Sequence, residues 1–465
     1  MLKDYNFKKC TTCPKKLCPK KYIAKPGLTE DIVYKISKDK NEPKWLLNKR
    51  LEALRLFKKT PMPNWGPNLS KLQLDNIIYY STPGIEEQNT WDGVPQNIKK
   101  TFDNLGIIEA EKTHFSGVGA QYDSQIVYHS LQEELKTQGV IFENFDLAVK
   151  KYPELIKEYF MTKCVPIDDH KFSMLHASVF SGGTFIYIPK NTKVKTPLQA
   201  YFRMNMQKGG QFEHTLIIAD EYSEVHYIEG CSAPQHEQSS IHAGCVELFV
   251  KKGAKIKYSS IENWSKNMYN LNTKRAIVEQ DATIEWVNGN TGSKTTMLYP
   301  SSILLGDNSK SESLSIAFAS KGQNQDTGVK VIHLGKNTSS LTKAKSIVKD
   351  GGITTYRGLI KINKNALNSK ATVDCDTLML DNISENNTYP TIDNSCSKST
   401  ALHEAKVGKI SPEQIYYLKT RGLDEEEAKK LIISGFINPI VKKFPLDYAV
   451  ELNKLIDMQM NSKLG

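Results

Sequence analysis

At 465 residues, with 39% hydrophobic and 24% charged side chains, the chain is long enough for two or three domains or one elongated repeat, and can bury a large core without staples. No apolar run approaches the roughly 18 residues of a membrane helix, eight cysteines are too dilute for a secreted disulfide framework, and a net charge of +11 spread over abundant Lys and Asn reads as a solvated basic surface and not as a nucleic-acid footprint. The opening MLKDYNFKKC has neither an apolar h-region nor an Arg/Ser-rich leader, so the expectation is reduced thiols in the cytoplasm, with a plastid-encoded origin as the minor alternative.

Residues 1–27, with Cys10, Cys13 and Cys18 among lysines and prolines, read as a mobile arm, and 28–170 as a helical and irregular region. Thr29 is suited to cap a helix, and EPKWLLNKRLEALRLFKK (42–59) has helical spacing at Leu47, Leu51, Leu54 and Phe57, with Pro61 and Pro63 to end it. Residues 60–120, rich in Pro, Gly and Asn, predict mostly irregular chain. SQIVYHSLQEELKTQG (124–139) and DLAVKKYPELIKEYFM (146–161) predict two further helices, the first stopped at Gly139.

The texture changes near residue 175 to short Val/Ile/Thr/Tyr strands cut by Gly, Asn and Asp, and a β core is expected over 171–410. Ser223-Glu224-Val225-His226-Tyr227 recurs as Ala254-Lys255-Ile256-Lys257-Tyr258 and as Ala282-Thr283-Ile284-Glu285-Trp286, at offsets of 31 and 28 residues. Such a return predicts stacked solenoid coils, each burying its apolar face against its neighbours; a sandwich with repeated hairpins is the alternative. Helical signals resume over 411–465. Ser411-Pro412-Glu413-Gln414 reads as a capping box with proline at the first helical position, LDEEEAKKLIISG (423–435) as a helix capped by Asp424 and stopped at Gly435, and LDYAVELNKLIDMQM (446–460) as a third. These amphipathic helices are too small for a core of their own and must dock on the solenoid end or on a partner.

Two tempting motifs fail on spacing. In NTGSKTTM (290–297) Ser293 separates Gly292 from Lys294, so no phosphate loop is formed, and HEAKV (403–407) has valine where a zinc protease needs its second histidine. Cys375, Cys396 and the His403-Glu404 pair remain as soft and borderline ligands suited to iron or iron–sulfur chemistry.

FSGVGAQYDSQIVYH (115–129), SGGTFIYIPKNTKV (181–194), PLQAYFRMN (197–205), VHYIEGCSAP (225–234), YNLNTKRA (269–276), KDGGITTYRGLIKI (349–362), CDTLMLD (375–381) and LHEAKVGKISPEQIYYLKTRGL (402–423) together resemble the SufB/SufD family of SUF iron–sulfur cluster assembly proteins, on its SufB scaffold side. The resemblance covers essentially residues 25–465. It implies a mainly β protein, a right-handed parallel β-helix with N-terminal and C-terminal helical regions, that is a scaffold and not an enzyme. It implies partners as well: the ATPase SufC docked on the C-terminal helices, SufD or a second SufB across the β-helix, a cysteine desulfurase with its sulfur-transfer protein, and apo iron–sulfur proteins as acceptors, with no nucleic acid and no membrane. The family's sulfur-accepting cysteine falls on Cys231, and the residues of its nascent, transient iron–sulfur cluster fall on Cys375, His403 and Glu404; a reduced flavin has been linked to some such assemblies. A persulfide acceptor must be a good thiolate nucleophile, and Cys231, at a strand end before a Ser-Ala-Pro turn, suits that task, with His236 and Glu237 as candidates to tune it. Leu402, acidic in some relatives, offers no ligand here. Cys396 is not a usual family cysteine and reads as a bystander, while Cys10, Cys13 and Cys18 (C-x2-C-x4-C) fall short of a closed four-thiolate site. The alternatives are a SufD-like architectural subunit, disfavoured because both Cys231 and Cys375 are kept beside His403-Glu404, and a solenoid carbohydrate-active enzyme, which would need clustered catalytic carboxylates on one β face.

Overall fold

Apolar residues that return once per coil stack the chain into a parallel β-helix. The structure, a computed structural model, describes residues 22–104, 106–235 and 238–461; Cys10, Cys13, Cys18, His236 and Glu237 lie outside the described residues. The three echoed segments pair side by side in register, Val225 with Ile256 with Ile284 and Tyr227 with Tyr258 with Trp286. All six side chains are buried, and the ring centroids of the aromatic column lie 5.6 and 5.3 Å apart, the separation at which aromatic pairs add to area burial. The column is thus the recurrence of the sequence made into a core.

Two sheets, of ten and twelve strands, form the walls of the β-helix. Their ends differ. At the N-terminal end antiparallel partners close both sheets, Gln125–Leu131 on Gly117–Tyr122 and Ile141–Asn144 on Gly183–Ile188. At the other end Glu385–Asn394 and Thr400–Lys409 are the last strands of the two sheets. Tyr389, Ile392, Leu402 and Val407 on them are exposed, which leaves this end with unpaired backbone and apolar side chains.

Helix Glu30–Asp39 is capped by Thr29, whose hydroxyl accepts the Ile32 N–H, and Lys44–Lys59 is helical as its spacing predicts. The helix expected over 124–139 is corrected: Gln125–Leu131 is a strand, and only Glu133–Thr137 is helical before Gly139, at φ 78°. The Ile126-Val127-Tyr128 run gains more by turning back at Asp123 (φ 52°) and pairing with Gly117–Tyr122 than an isolated short helix could offer. The helix expected over 146–161 is broken in two, Phe145–Lys151 and Pro153–Tyr159, because Pro153 has no N–H to continue the ladder. Residues 60–120 are more ordered than their composition suggests, with helices Gln96–Asn104 and Ile107–His114. Lys171–Val179, where the sequence begins to read as β, is a helix capped by His170 and buried from Phe172 to Val179.

At the C-terminus Ser411 accepts the N–H groups of Glu413 and Gln414 at 3.2 and 3.3 Å, and Asp424 forms the reciprocal capping box, with Glu427. Gly435 does not stop its helix, which runs Glu425–Val441. Ile433, Ile437, Ile440 and Val441 line one buried stripe, and that burial outweighs the roughly 1 kcal/mol that glycine costs inside a helix. This stripe and Tyr448, Leu452 and Ile456 of helix Leu446–Asn461 pack on the outward-facing Ile228, Ile261, Val287 and Leu314, so the helices dock on the flank of the ten-stranded sheet and not on the end of the solenoid. Helix Pro412–Thr420 buries nothing. No helix is long and apolar enough to cross a membrane among the described residues.

Candidate functional site

Alternation along each strand decides which side chains enter the β-helix. In Glu224–Ser232 the inward set is Val225, Tyr227, Glu229 and Cys231, and in the next coil Ile256, Tyr258, Ser260, Glu262 and Trp264. The first half of each strand is therefore apolar inside, and the second half is polar.

Cys231 sits in that polar half, 1% exposed, with Sγ 3.9 Å from Glu229 Oε1. Burial pushes its thiol well up from its ordinary value, and the carboxylates of Glu229, Glu213 and Glu262 add to the shift while Lys274 opposes it. The expectation of a ready thiolate is thus corrected: in this structure the group is a protonated thiol.

Around it runs a buried network that the sequence reading missed. Lys274 Nζ donates to Glu262 Oε1 at 2.7 Å and to Ser260 Oγ at 2.9 Å, Ser260 Oγ donates to Asn288 Oδ1 at 2.9 Å, and His242 lies between Glu213 and Asn270. Glu213 and Glu262 are held below their ordinary values by His242 and Lys274 respectively, although burial alone would raise them, whereas burial raises Glu229. Within this network Glu229 and Cys231, both raised, thus stand beside two carboxylates that His242 and Lys274 hold down. The signal for it was available, namely charged residues at inward period-2 positions of strands that read as core.

Cys375 lies five coils further on. It shares an inward column with Glu229 through Ser260, Asn288, Ser315 and Ala344, while Cys231 heads the adjacent column of Glu262, Asn290, Ala317, Ser346 and Thr377. At roughly 4.8 Å per strand step the two thiols are about 24 Å apart along the solenoid axis. The intervening inward residues are small or polar.

His403 continues the aromatic column one layer beyond Val373, and its Nε2 is 3.6 Å from Cys375 Sγ. Tyr356, from the facing sheet, stacks on His403 with centroids 6.3 Å apart. Burial pushes the Cys375 thiol up to about 12, which Tyr356 opposes and Asp376 and Asp374 reinforce. Glu404 is on the other face of its strand, exposed and paired with Lys406 at 2.9 Å. The structure thus brings Cys375 and His403 together and leaves Glu404 outside. HEAKV is strand, not helix. Cys396 is buried near the last turn, its N–H held by Asn394 Oδ1 at 3.0 Å. A groove of about 1040 Å³ lies elsewhere, beside Trp65, His170, Arg275 and Tyr389, and includes none of these thiols.

The chain is thus a parallel β-helix with a buried thiol inside it and a thiol–imidazole pair near its open end. Residues 202–436 match the model of the SUF system FeS cluster assembly, SufBD core domain, and 119–200 that of the SufBD protein N-terminal region. The chain is 51% identical over 439 residues to iron-sulfur cluster assembly SufBD family proteins of Staphylococcus haemolyticus, Staphylococcus epidermidis and Staphylococcus aureus, with 94% of each chain covered. It belongs to the SufBD family of the SUF iron–sulfur cluster assembly system.

Proposed function

We propose that the chain is the SufB-type scaffold of that system, which takes sulfur at Cys231 and assembles a transient iron–sulfur cluster, its cargo, at Cys375 and His403. The observation that carries this reading is the 3.6 Å approach of Cys375 Sγ and His403 Nε2 at the open end of the solenoid, in the inward column next to that of Cys231 and five coils from it. Thiolate with imidazole suits iron, and a mixed, incomplete ligand set releases a cluster more readily than four cysteines would. Glu404 enters only if the site is shared with a second chain packed across the open end, SufD or another copy of SufB.

Sulfur acceptance balances without an external oxidant. Cys231 loses its proton to the neighbouring Glu229 carboxylate, and the thiolate attacks the terminal sulfur of a donor persulfide, supplied by a cysteine desulfurase and its transfer protein. The donor S–S bond breaks, its electron pair leaves on the donor thiolate, which takes up the proton, and Cys231 carries the new S–S bond. The exposed face of helix Pro412–Thr420 is suited to the SufC ATPase, which would move the partner over the open end; apo-proteins then receive the cluster. A flavin is not part of this reading.

Anaerobic reconstitution with iron and sulfide tests it. The assembled complex with Cys375→Ala should lose visible cluster absorption with folding intact. Wild-type absorption and transfer to an apo-acceptor by that variant would place the cluster elsewhere.

A further inference from the structure

A second cluster of ligands lies far from the thiols, at the closed end of the β-helix. Glu87 precedes the short bridge in which Gln88 pairs with Tyr128; His129 belongs to strand Gln125–Leu131 and Glu143 to strand Ile141–Asn144. These three elements bring one ligand atom each from Glu87, His129 and Glu143 within 4.8 Å of one another. All three residues are half-buried, shielded from bulk water yet open to an ion from solvent.

The cluster has the supports that a cation site requires. Asn144 caps a helix with Oδ1, which accepts the Asp146 N–H at 2.9 Å, so its Nδ2 is turned to donate to Glu87 Oε2 at 2.6 Å. Lys151 holds Glu143 through Oε2. Each carboxylate is thereby oriented by a neighbour through one oxygen and keeps the other for a ligand. The His129 ring packs against Phe142, centroids 4.6 Å apart, and the backbone N–H of His129 donates to the Gln88 carbonyl at 3.0 Å, which anchors the strand at this point. His129 Nε2 is buried and has no hydrogen-bond partner among the described residues, a costly state for a polar atom unless something binds it. Burial holds this imidazole down at about 4, hence neutral with a free lone pair at pH 7, and keeps Glu87 above its ordinary value, with the charges of Glu143 and Asp146 adding to the shift. A cation would relieve all three.

Another histidine cluster, His176, His214 and Cys245, differs in being wholly buried. His176 donates or accepts at both nitrogens, to the Ala243 carbonyl at 2.9 Å and to His214 Nδ1 at 3.0 Å, beneath Phe145, Phe160 and Phe180. His214 Nε2, though without a hydrogen-bond partner, lies 3.3 Å from the buried Glu247 carboxylate, and the cluster is sealed from solvent, with no opening for an ion.

We infer that Glu87, His129 and Glu143 form a binding site for a first-row divalent cation of the ferrous and manganous class. Two carboxylates and one imidazole, with no thiolate, select Fe(II) or Mn(II) over the thiophilic ions. The site is a holding point for single ions, separate from the thiols at which a cluster would be built. That the ion held in the cell is Fe(II), the iron cargo, rests on the iron–sulfur reading above; the cation site itself does not.

Mn(II) titration of the full-length protein, followed by loss of the free-ion EPR signal, tests the site with an ion that avoids the cysteines. The wild type should bind one Mn(II), and Fe(II) added anaerobically should displace it, being higher in the affinity series. E87Q, E143Q and H129Q should each weaken binding at least about tenfold, the scale on which ligand shells act, with unchanged circular dichroism and melting; the Glu→Gln changes keep side-chain shape, so loss of fold is not the expected cause of lost binding. C375A should bind Mn(II) as the wild type does, even though its cluster assembly is expected to fail. Absence of a one-ion site in the wild type, or equal binding by E87Q, E143Q and H129Q, overturns the proposal and leaves the reading of Cys375 and His403 intact.

Discussion

Cys231 is the residue at which burial and reactivity conflict most directly. Its thiol is raised well above its ordinary value by burial and by Glu229, Glu213 and Glu262, so at neutral pH the nucleophilic fraction is small. Alkylation or persulfide acceptance at Cys231, scored by mass spectrometry, should be slow at pH 7 and should still be rising at the alkaline end of the stable range; Glu229→Gln, which removes both the main neighbouring carboxylate and the proton acceptor, should alter that profile. A plateau at ordinary thiol pH in the wild type would show that the site opens to water before it reacts. Cys231→Ala should lose persulfide labelling yet still accept a cluster supplied chemically. Within the cluster pair, His403→Ala should weaken reconstituted absorption severely, whereas Glu404→Gln should matter little in the isolated chain, because Glu404 faces away from Cys375.

Among the elements, helix Leu446–Asn461 has an internal weakness. Glu451 is raised to about 7 by burial, with Lys454 opposing, and stands close to the buried Tyr201 and Tyr448 phenols. Its folded value is above the roughly 4.3 of an unfolded chain. The docked helix therefore has its full stability from this group below about 4.3 and loses it as pH rises through about 7. Glu451→Gln should raise the thermal midpoint at pH 8 and change it much less at pH 5. Equal shifts at the two pH values would mean that Glu451 is ionised in the docked helix. The dock matters to the interior as well, since Tyr448 bonds Gln199 and its hydroxyl closes on Gly230, where a Cβ would lie 3.2 Å from it and 2.4 Å from the Tyr201 ring. Helix, strand and the backbone beside Cys231 are thus packed as one unit.

On the scale of the whole molecule, exposed apolar surface collects in two places, the open end of the β-helix and the outer face of the C-terminal helices. Tyr416 and Tyr417 are 71% and 56% exposed, and Leu431 of the next helix 53%. Deleting residues 412–465 would also uncover the core formed with Ile228, Ile261, Val287 and Leu314, so loss of binding by that truncation would be ambiguous. Tyr416→Glu with Tyr417→Ser avoids this, because helix Pro412–Thr420 buries no residue. The double variant should melt as the wild type does and lose co-purification with SufC; retained binding would move the ATPase contact off this helix.

The stacked coils were legible because their signal is periodic: the aromatic and the apolar pair returning at 31 and 28 residues are the residues that register places side by side. Cys375 and His403, 28 residues apart, meet because a coil of about that length returns the chain one layer further on. Caps at Thr29, Ser411 and Asp424 were legible for the same reason, each being a contact within a few residues of chain. Pairing and burial between distant segments were not. Gln125–Leu131 is a strand because Gly117–Tyr122 lies beside it, and the helix through Gly435 persists because its isoleucines find the flank of a sheet whose strands lie more than a hundred residues earlier. The protonated state of Cys231, the separation of Glu404 from His403 and the meeting of Glu87, His129 and Glu143 belong to this second kind. Sequence fixes which residues recur, but desolvation and the face a side chain takes are set only when three or four elements close around it.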